Sequence, residues 1–382
     1  MKILILGGYG AVGYETAKGL LQRTDAEVVI GGRSLKKAES AAARLSERIG
    51  STRVSGRAVD ASHHDELVSA FKTVDWVIVC IPLAGLGAGV AQAAYEAGVH
   101  YIDINANREK QVYLKRMAAG IKERGLIFVT EAGLGPGVPS LLVRYAHQQL
   151  GRLETVDVAS IFRESTLSRG TAYDMLVALG EQHRVFKNGA WRKTPMTSTK
   201  EIDFGAPYGK QRCYPFEFLE LVKLPVEELG LSELGFYGSG FNPVVDLLVL
   251  VWMMTGLYRL ALGLRLGARI AIWAGRFTKP CTLMQVDATT HDGNRIRVRL
   301  GHEDAYAATA IPLAACVIQM LEPGSVRQPG LHFMGHCLET DRFLKDVESM
   351  GLNVTIERDL VPPQLLSMET TAAVVPEGRV AS

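Results

Sequence analysis

The chain has 382 residues, more than one compact core usually holds, so we expect two domains or one domain with a large insertion. With 47% hydrophobic and 21% charged residues, its composition is that of a soluble globular protein and not of a disordered chain. The formal charge of +2 excludes the strongly basic balance typical of nucleic-acid binding. We therefore expect a small-molecule partner and no nucleic acid.

The five cysteines are scattered, odd in number and never arranged as CxxC, which is typical of a reducing compartment. At the N-terminus, Lys2 is followed by only four aliphatic residues before Gly7, with no small-residue cleavage site after them. This pattern does not match a secretory signal peptide. We therefore predict a cytoplasmic protein.

The first thirteen residues carry the pattern of a dinucleotide-binding turn. Ile3–Leu6 is an apolar run bounded by glycine, as in a buried strand of a parallel sheet, and a helical apolar spacing follows the turn. In a GxGxxG turn the glycines allow a tight turn, close approach of a pyrophosphate and close helix packing. The alternative is a purely structural glycine-rich turn. We assign to cofactor binding Gly8, Tyr9, Gly10, Ala11, Val12 and Gly13.

The second strand indicates which dinucleotide is bound. Glu27–Ile30 reads as a strand, and the sequence Gly31-Gly32-Arg33-Ser34 follows it without the carboxylate that an NAD-specific protein usually offers to the ribose. Arg33 and Ser34 instead provide a cation and a hydroxyl suited to a 2′-phosphate. The sequence therefore predicts NADP(H), the alternative being a solvated arginine at a helix start.

Alternating strands and helices continue to Thr130 and predict a doubly wound parallel sheet, a Rossmann fold. Ligands bind such sheets at the carboxyl ends of the strands. On this ground we add to the cofactor site residues that follow the third and fourth strands: Asp60, Cys80, Ile81 and Pro82.

Three polar residues end the fifth and sixth strands, next to the expected nicotinamide. Asp103, Asn105 and Glu131 are candidates to orient a substrate or relay a proton. For Asp103 and Asn105 the alternative is capping of the following turn or helix. No GxSxG, HExxH or Walker motif occurs, and we predict no metal site, although His332, His336 and Cys337 have a superficially suitable spacing.

The segment Glu131–Leu142, EAGLGPGVPSLL, resembles the exit from the Rossmann domain in the saccharopine dehydrogenase family, which typically reads ECGLDPG before an apolar helix. The resemblance covers residues 1–150 and, more loosely, 300–357. It implies a second α+β domain on an antiparallel sheet and a pyridine-nucleotide hydride reaction on a carbon–nitrogen bond. The chain departs from the family at Gly135, Pro139 and Ser140, where acidic residues and a histidine are common. Residues 168–172, SRGTA, look more like the lipid-linked branch of the family.

A change to strands and hairpins after Glu154 predicts a second, α+β domain. Asn188-Gly189 and Asp292-Gly293 are hairpin signals. We predict an NADP-binding domain at 1–133, a substrate or dimerisation domain at 134–330, a return to the core at 331–360 and a flexible tail at 361–382. The substrate-binding candidates of the second domain are Arg169, Thr171 and Tyr173.

The segment 244–277 is apolar but interrupted by charge. Its longest uncharged run is too short to cross a bilayer. Arg265, Arg269 and Arg276 share one helical face, and Leu262, Leu266, Ile270 and Trp273 share another. The alternatives are core or dimer packing in a homodimer, peripheral membrane contact, and a cover over an apolar substrate.

Together these features predict an NADP(H)-dependent oxidoreductase. It would transfer hydride to or from a C=N, C=O or C=C centre of an amino-acid-derived or lipid-like substrate. The alternative is a non-catalytic NADP-binding protein that engages a partner or a membrane.

Overall fold

The computed structural model describes residues 1–83, 85–164, 183–195, 197–239, 260–276, 279–322 and 328–359, together with 170, 172–173, 176–177, 252 and 255–256. Part of the segment 244–277 and all of the predicted tail 361–382 lie outside the described residues. Among the described residues, no helix combines the length and apolar composition that a bilayer crossing requires.

The first sheet has seven strands, all parallel, in the order β15-β6-β5-β4-β1-β2-β3. Its strands are β1 Lys2–Leu6, β2 Glu27–Gly32, β3 Val54–Ala58, β4 Trp76–Val79, β5 His100–Asp103, β6 Ile127–Thr130 and β15 Gly330–Phe333. The helices between them are α1 Ala11–Arg23, α2 Leu35–Ile49, α3 His64–Phe71, α4 Gly87–Ala97 and α5 Arg108–Glu123. The central strands β1 and β4 are almost wholly buried, as their continuous apolar sequence predicts.

After α6, Val138–Leu150, the chain builds a second, mixed sheet in the order β10-β11-β12-β7-β13-β14-β16, with β8 on β12 and β9 on β8. Its strands are β7 Thr155–Arg163, β8 His183–Lys187, β9 Ala190–Thr194, β10 Lys200–Asp203, β11 Lys210–Phe216, β12 Glu233–Ser239, β13 Cys281–Thr289, β14 Arg295–His302 and β16 Asn353–Arg358. The helices with described bounds that accompany it are α7 Leu219–Val222, α8 Val226–Leu229 and α9 Ala261–Gly275.

Both predicted hairpins are confirmed. Asn188 and Gly189 adopt positive φ angles of 51° and 76° between β8 and β9, as a tight turn between antiparallel strands requires. Gly293, with φ of 82°, lies in the turn between β13 and β14. The predicted fold class is also confirmed, since a parallel Rossmann-like sheet with helices is joined to a second mixed-sheet domain.

The chain passes between the two sheets more than once. Helix α10, Ala305–Leu321, packs against α1, where a Cβ on Gly19 would lie 3.3 Å from the Ala314 methyl carbon. Strand β15 then joins the first sheet, and after α11 (Met334–Cys337) and α12 (Thr340–Ser349) strand β16 joins the second. The two sheets are therefore fixed to each other by shared chain as well as by packing.

Candidate nucleotide site and active-site cleft

The turn between β1 and α1 is held tight by glycines. Gly7 has φ of +87° and lies against the end of β4, where a Cβ would approach the Cys80 carbonyl oxygen to 2.9 Å. A Cβ on Gly13 would lie only 2.4 Å from the Gly7 carbonyl oxygen, so α1 comes close to the strand. Helix α1 begins at Gly10 without a side-chain cap. Its first amides are consequently available to an anion.

Tyr9 explains why β2 ends in two glycines. A Cβ on Gly32 would lie 2.3 Å from the Tyr9 ring, so the ring packs directly against the backbone at the end of β2. A Cβ on Gly31 would press on the Ile5 carbonyl oxygen at 3.2 Å. At the end of β2, where an NAD-specific protein usually has a carboxylate, this chain therefore has a tyrosine ring packed on glycine.

The predicted 2′-phosphate residues Arg33 and Ser34 follow β2, and Asp60, another residue assigned to the cofactor site, follows β3. Arg33 is exposed, whereas Ser34 caps α2 by accepting a hydrogen bond from the Lys37 amide. Asp60 accepts hydrogen bonds from the Ser62 amide at 3.0 Å and hydroxyl at 2.8 Å, and these bonds hold its carboxyl pKa below the ordinary value, with a smaller contribution from Arg33. Asp60 thus orders a turn beside Arg33.

A cavity of about 390 Å³ opens at the start of α1. It lies between the glycine turn, α2 and the beginning of α10. Its lining therefore includes residues of the first domain and residues that follow the second sheet. The lining residues are Tyr9, Gly10, Ala11, Tyr14, Glu15, Arg44, Asp304 and Tyr306.

The ends of β4 and β5 are joined by a side-chain contact. Asn105 Nδ2 donates to the Ile81 carbonyl oxygen at 3.2 Å, and the Asn105 amide donates to Asp103 Oδ1 at 2.8 Å. Pro82 follows in an exposed position. Burial raises the pKa of the Cys80 thiol to about 12, with Asp103 adding to the effect, so this sulfur stays protonated at neutral pH.

A buried lysine, which the sequence analysis did not single out, organises the residues after β5 and β6. Lys110 Nζ donates to Asp103 Oδ1, to the Asn105 carbonyl oxygen at 2.5 Å and to Thr130 Oγ1 at 2.7 Å. Lys110 and Asp103 are both fully buried. A buried charge pair of this kind is stable only with further hydrogen bonds, and here those bonds fix the loop that carries Asn105. Asp103 is thereby placed beneath the cleft surface and Asn105 at it.

Glu131 lies next to this cluster in a strained conformation. Its φ of 57° is unusual for a residue with a side chain. Gln111 Nε2 donates to Glu131 Oε1 at 2.9 Å, while the buried Oε2 has no hydrogen-bond partner among the described residues. Burial, and then the charge of Glu220, raise the pKa of Glu131 to about 8, and Lys110 opposes the shift. With its pKa raised in this way, the side chain is mostly protonated at neutral pH.

The second domain contributes a second buried carboxylate, Glu220 of α7. It accepts hydrogen bonds from the Gly137 amide at 2.6 Å and from the Ser140 hydroxyl. Burial raises its pKa to about 7, and these two hydrogen bonds oppose the rise. The His336 ring bonds the Glu220 carbonyl oxygen at 2.8 Å. A carboxylate from the second domain therefore lies beside the segment in which the chain lacks the family's acidic residues.

Glu217, three residues before Glu220, forms an ion cluster with two arginines. Arg184 of β8 binds Glu217 through two hydrogen bonds of 2.7 and 2.8 Å, and Arg108 Nη2, from the start of α5, lies 3.8 Å from the same carboxylate. Glu217 is nearly buried, whereas both arginines are partly exposed. Two arginines, one from each domain, therefore approach the same carboxylate beyond the carboxyl end of β5.

The three substrate-binding candidates cannot be brought together here. Arg169 and Thr171 lie outside the described residues. Tyr173 is half-buried and follows Ala172, which belongs to a small apolar cluster under α9. Among the described residues, contacts between the two domains near the ends of β5 and β6 involve Arg108, Arg184, Glu217 and Glu220. The only sequence signal for them was Arg108 following Asn107, a helix-capping residue at the end of a strand loop.

Comparison with known proteins agrees with this architecture. Residues 3–128 match the family model of the saccharopine dehydrogenase NADP binding domain. The chain is 25% identical to carboxynorspermidine synthase of Vibrio cholerae over 92% of this chain and 96% of that protein. It is 27% identical to the enzyme of the same name from Vibrio alginolyticus, over 56% of this chain and 57% of that protein.

Among solved structures, the apo form of saccharopine dehydrogenase (L-Glu forming) from Saccharomyces cerevisiae has a similar fold. It aligns with a TM-score of 0.67 at 16% identity, covering 94% of this chain and 100% of that one. The resemblance drawn from the sequence and the NADP cofactor are both confirmed.

The raised pKa of Glu131 predicts how stability depends on pH. Between the ordinary value of 4.5 and about 8, the unfolded chain ionises this group while the folded chain keeps it protonated. The folded state then binds more protons, so the free energy of unfolding should fall as pH rises through this window. Glu131→Gln should flatten that fall in urea unfolding measured from pH 5 to pH 8.

Glu123→Gln, on the exposed end of α5, is the matched control and should leave the wild-type slope unchanged. A Glu131→Gln slope equal to that of wild type would contradict the assignment of a protonated Glu131.

Proposed function

We propose that this chain, whose N-terminal domain belongs to the saccharopine dehydrogenase family, is an NADPH-dependent reductase that transfers hydride to the carbon of a C=N bond in a carboxylate-bearing substrate. The observation that carries the proposal is the position of the partly exposed Arg108 and Arg184 guanidinium groups around Glu217, beyond the carboxyl end of β5. Ligands of parallel sheets bind at such strand ends. The similarity to carboxynorspermidine synthases supports an amine-derived substrate.

The cofactor supplies the hydride. The chain binds the cofactor through the uncapped start of α1 and through Arg33. The absence of a side chain at Gly13 and the packing of Tyr9 on Gly32 fit a pyrophosphate and a ribose at this edge. Arg33 lies free for a bidentate contact with a 2′-phosphate.

The residues beyond β5 and β6 then orient the acceptor. Arg108 binds the substrate carboxylate, and Glu217, held by Arg184, fixes the position of that guanidinium. Asn105 is held by Ile81 and by Lys110 and orients the nitrogen of the C=N bond. With NADPH as the hydride donor, the carbon of the N-protonated C=N bond would gain the hydride and give the amine, so no reductant besides NADPH would be needed. Glu131 holds the proton that replaces the one consumed.

The cofactor preference is tested by Arg33→Asp. Loss of a charged bidentate contact to the 2′-phosphate should weaken NADPH binding roughly tenfold to a hundredfold. NADH binding should change little, because NADH lacks that phosphate. Calorimetric titration of both nucleotides measures the two effects, and Arg48→Asp, at the far end of α2, is the control. Equal losses for both nucleotides would contradict the assignment.

The reaction is tested with purified protein, NADPH and a panel of acceptors, by following the absorbance of reduced nicotinamide. The panel holds imines formed from amines with carboxylate-bearing carbonyl compounds, the same imines without the carboxylate, simple ketones and enoyl thioesters. We expect turnover with the carboxylate-bearing imines. Arg108→Gln should raise KM for them roughly tenfold and leave kcat nearly unchanged.

Arg116→Gln, on the exposed face of α5, is the matched control and should leave both constants unchanged. Turnover confined to ketones or enoyl thioesters would overturn the substrate class. Tight NADPH binding without turnover of any acceptor would instead favour a non-catalytic NADP-binding protein.

A further inference from the structure

Helix α9 packs on the protein through its small residues. Its buried positions include Gly263, Gly267 and Ala268. A Cβ on Gly267 would lie 3.0 Å from the Leu176 side chain, and Trp252 Nε1 donates to the Gly263 carbonyl oxygen at 3.3 Å. The helix backbone therefore lies close to the rest of the protein on the side of Gly263 and Gly267, and the opposite side of the helix points outward.

The outward face carries the large apolar side chains. Leu262, Leu266, Ile270 and Trp273 are 77%, 54%, 38% and 60% exposed. At about 100° per residue, they fall on one stripe along the helix. A soluble helix normally buries such a stripe, and an exposed contiguous one marks an interaction surface.

A second stripe, of arginines, runs beside the first. Arg265, Arg269 and Arg276 are exposed, and the same projection places them immediately next to Leu262 and Trp273. Residues 261–276 contain no aspartate or glutamate. The outward face thus combines apolar surface, an indole ring and a row of cations with no carboxylate on the same helix.

We propose that α9 is an interfacial helix that binds the surface of an anionic lipid bilayer. Lying in the plane of the interface, it inserts Leu262, Leu266, Ile270 and Trp273 below the headgroups and sets its arginines against lipid phosphates. Its fifteen residues span about 22 Å, which suits a helix lying on the bilayer and is too short for crossing it.

The charge of the face favours lipid over a second copy of this chain. In a twofold dimer the same patch meets itself, so the arginines of each copy would need carboxylates on the same helix. Residues 261–276 offer none. An anionic bilayer supplies both the apolar layer and the opposite charge, and tryptophan is favoured at its interface.

Flotation of the full-length protein with vesicles tests the proposal. We expect binding to phosphatidylcholine vesicles that contain about 30% phosphatidylglycerol and little binding to pure phosphatidylcholine. Arg265→Gln with Arg269→Gln should weaken the binding roughly thirtyfold, since each cation near an anionic surface contributes about fivefold. Leu262→Ser with Trp273→Ser should abolish it.

Val112→Ser with Arg116→Gln is the matched control, because this pair has the same kind and exposure of residues on α5. It should float as wild type does, and thermal unfolding should confirm that every variant is folded. Absence of wild-type flotation would overturn the proposal. Sedimentation velocity without lipid gives the other contrary outcome, in which Leu262→Ser with Trp273→Ser dissociates a dimer and α9 is a contact between copies.

Discussion

The close approach of α1 to the turn after β1 is the constraint on which the rest of the molecule depends. Because Gly13 has no side chain, the helix starts directly over the Gly7 carbonyl and directs its free amides beyond the sheet. The opposite face of α1 meets α10 at Gly19 and Ala314, with the backbones again close. Since α10 follows the second sheet directly, the position of α1 also determines where the second domain meets the nucleotide edge.

A second set of contacts links the candidate site at the ends of β5 and β6 to the second domain. Lys110 binds groups from β5, β6 and the loop between β5 and α5, so three segments move as one. The second domain contributes Glu217, which lies near Arg108, and Glu220, which accepts a hydrogen bond from the Gly137 amide. The Arg108–Glu217 contact and the two hydrogen bonds to Glu220 therefore link the two domains.

The sequence predicted those parts of the fold that depend on short stretches of neighbouring residues. Apolar runs gave the parallel strands, and Asn188-Gly189 gave a hairpin because few residues tolerate its positive φ angles. Lys110 was missed because a helical lysine normally faces solvent, and Glu220 because its partners are distant in sequence. For α9, periodicity separated the arginine and leucine stripes, but only the packing of Gly267 on Leu176 revealed that both face outward.

Calorimetric titration of Gly13→Ala with NADPH tests the central claim most directly, because the new methyl group must displace either α1 or the glycine turn. The account predicts NADPH affinity more than roughly tenfold below that of wild type in a protein that still unfolds cooperatively. Gln22→Ala, on the exposed side of the same helix, should bind as wild type does. Unchanged NADPH affinity in Gly13→Ala would contradict the account.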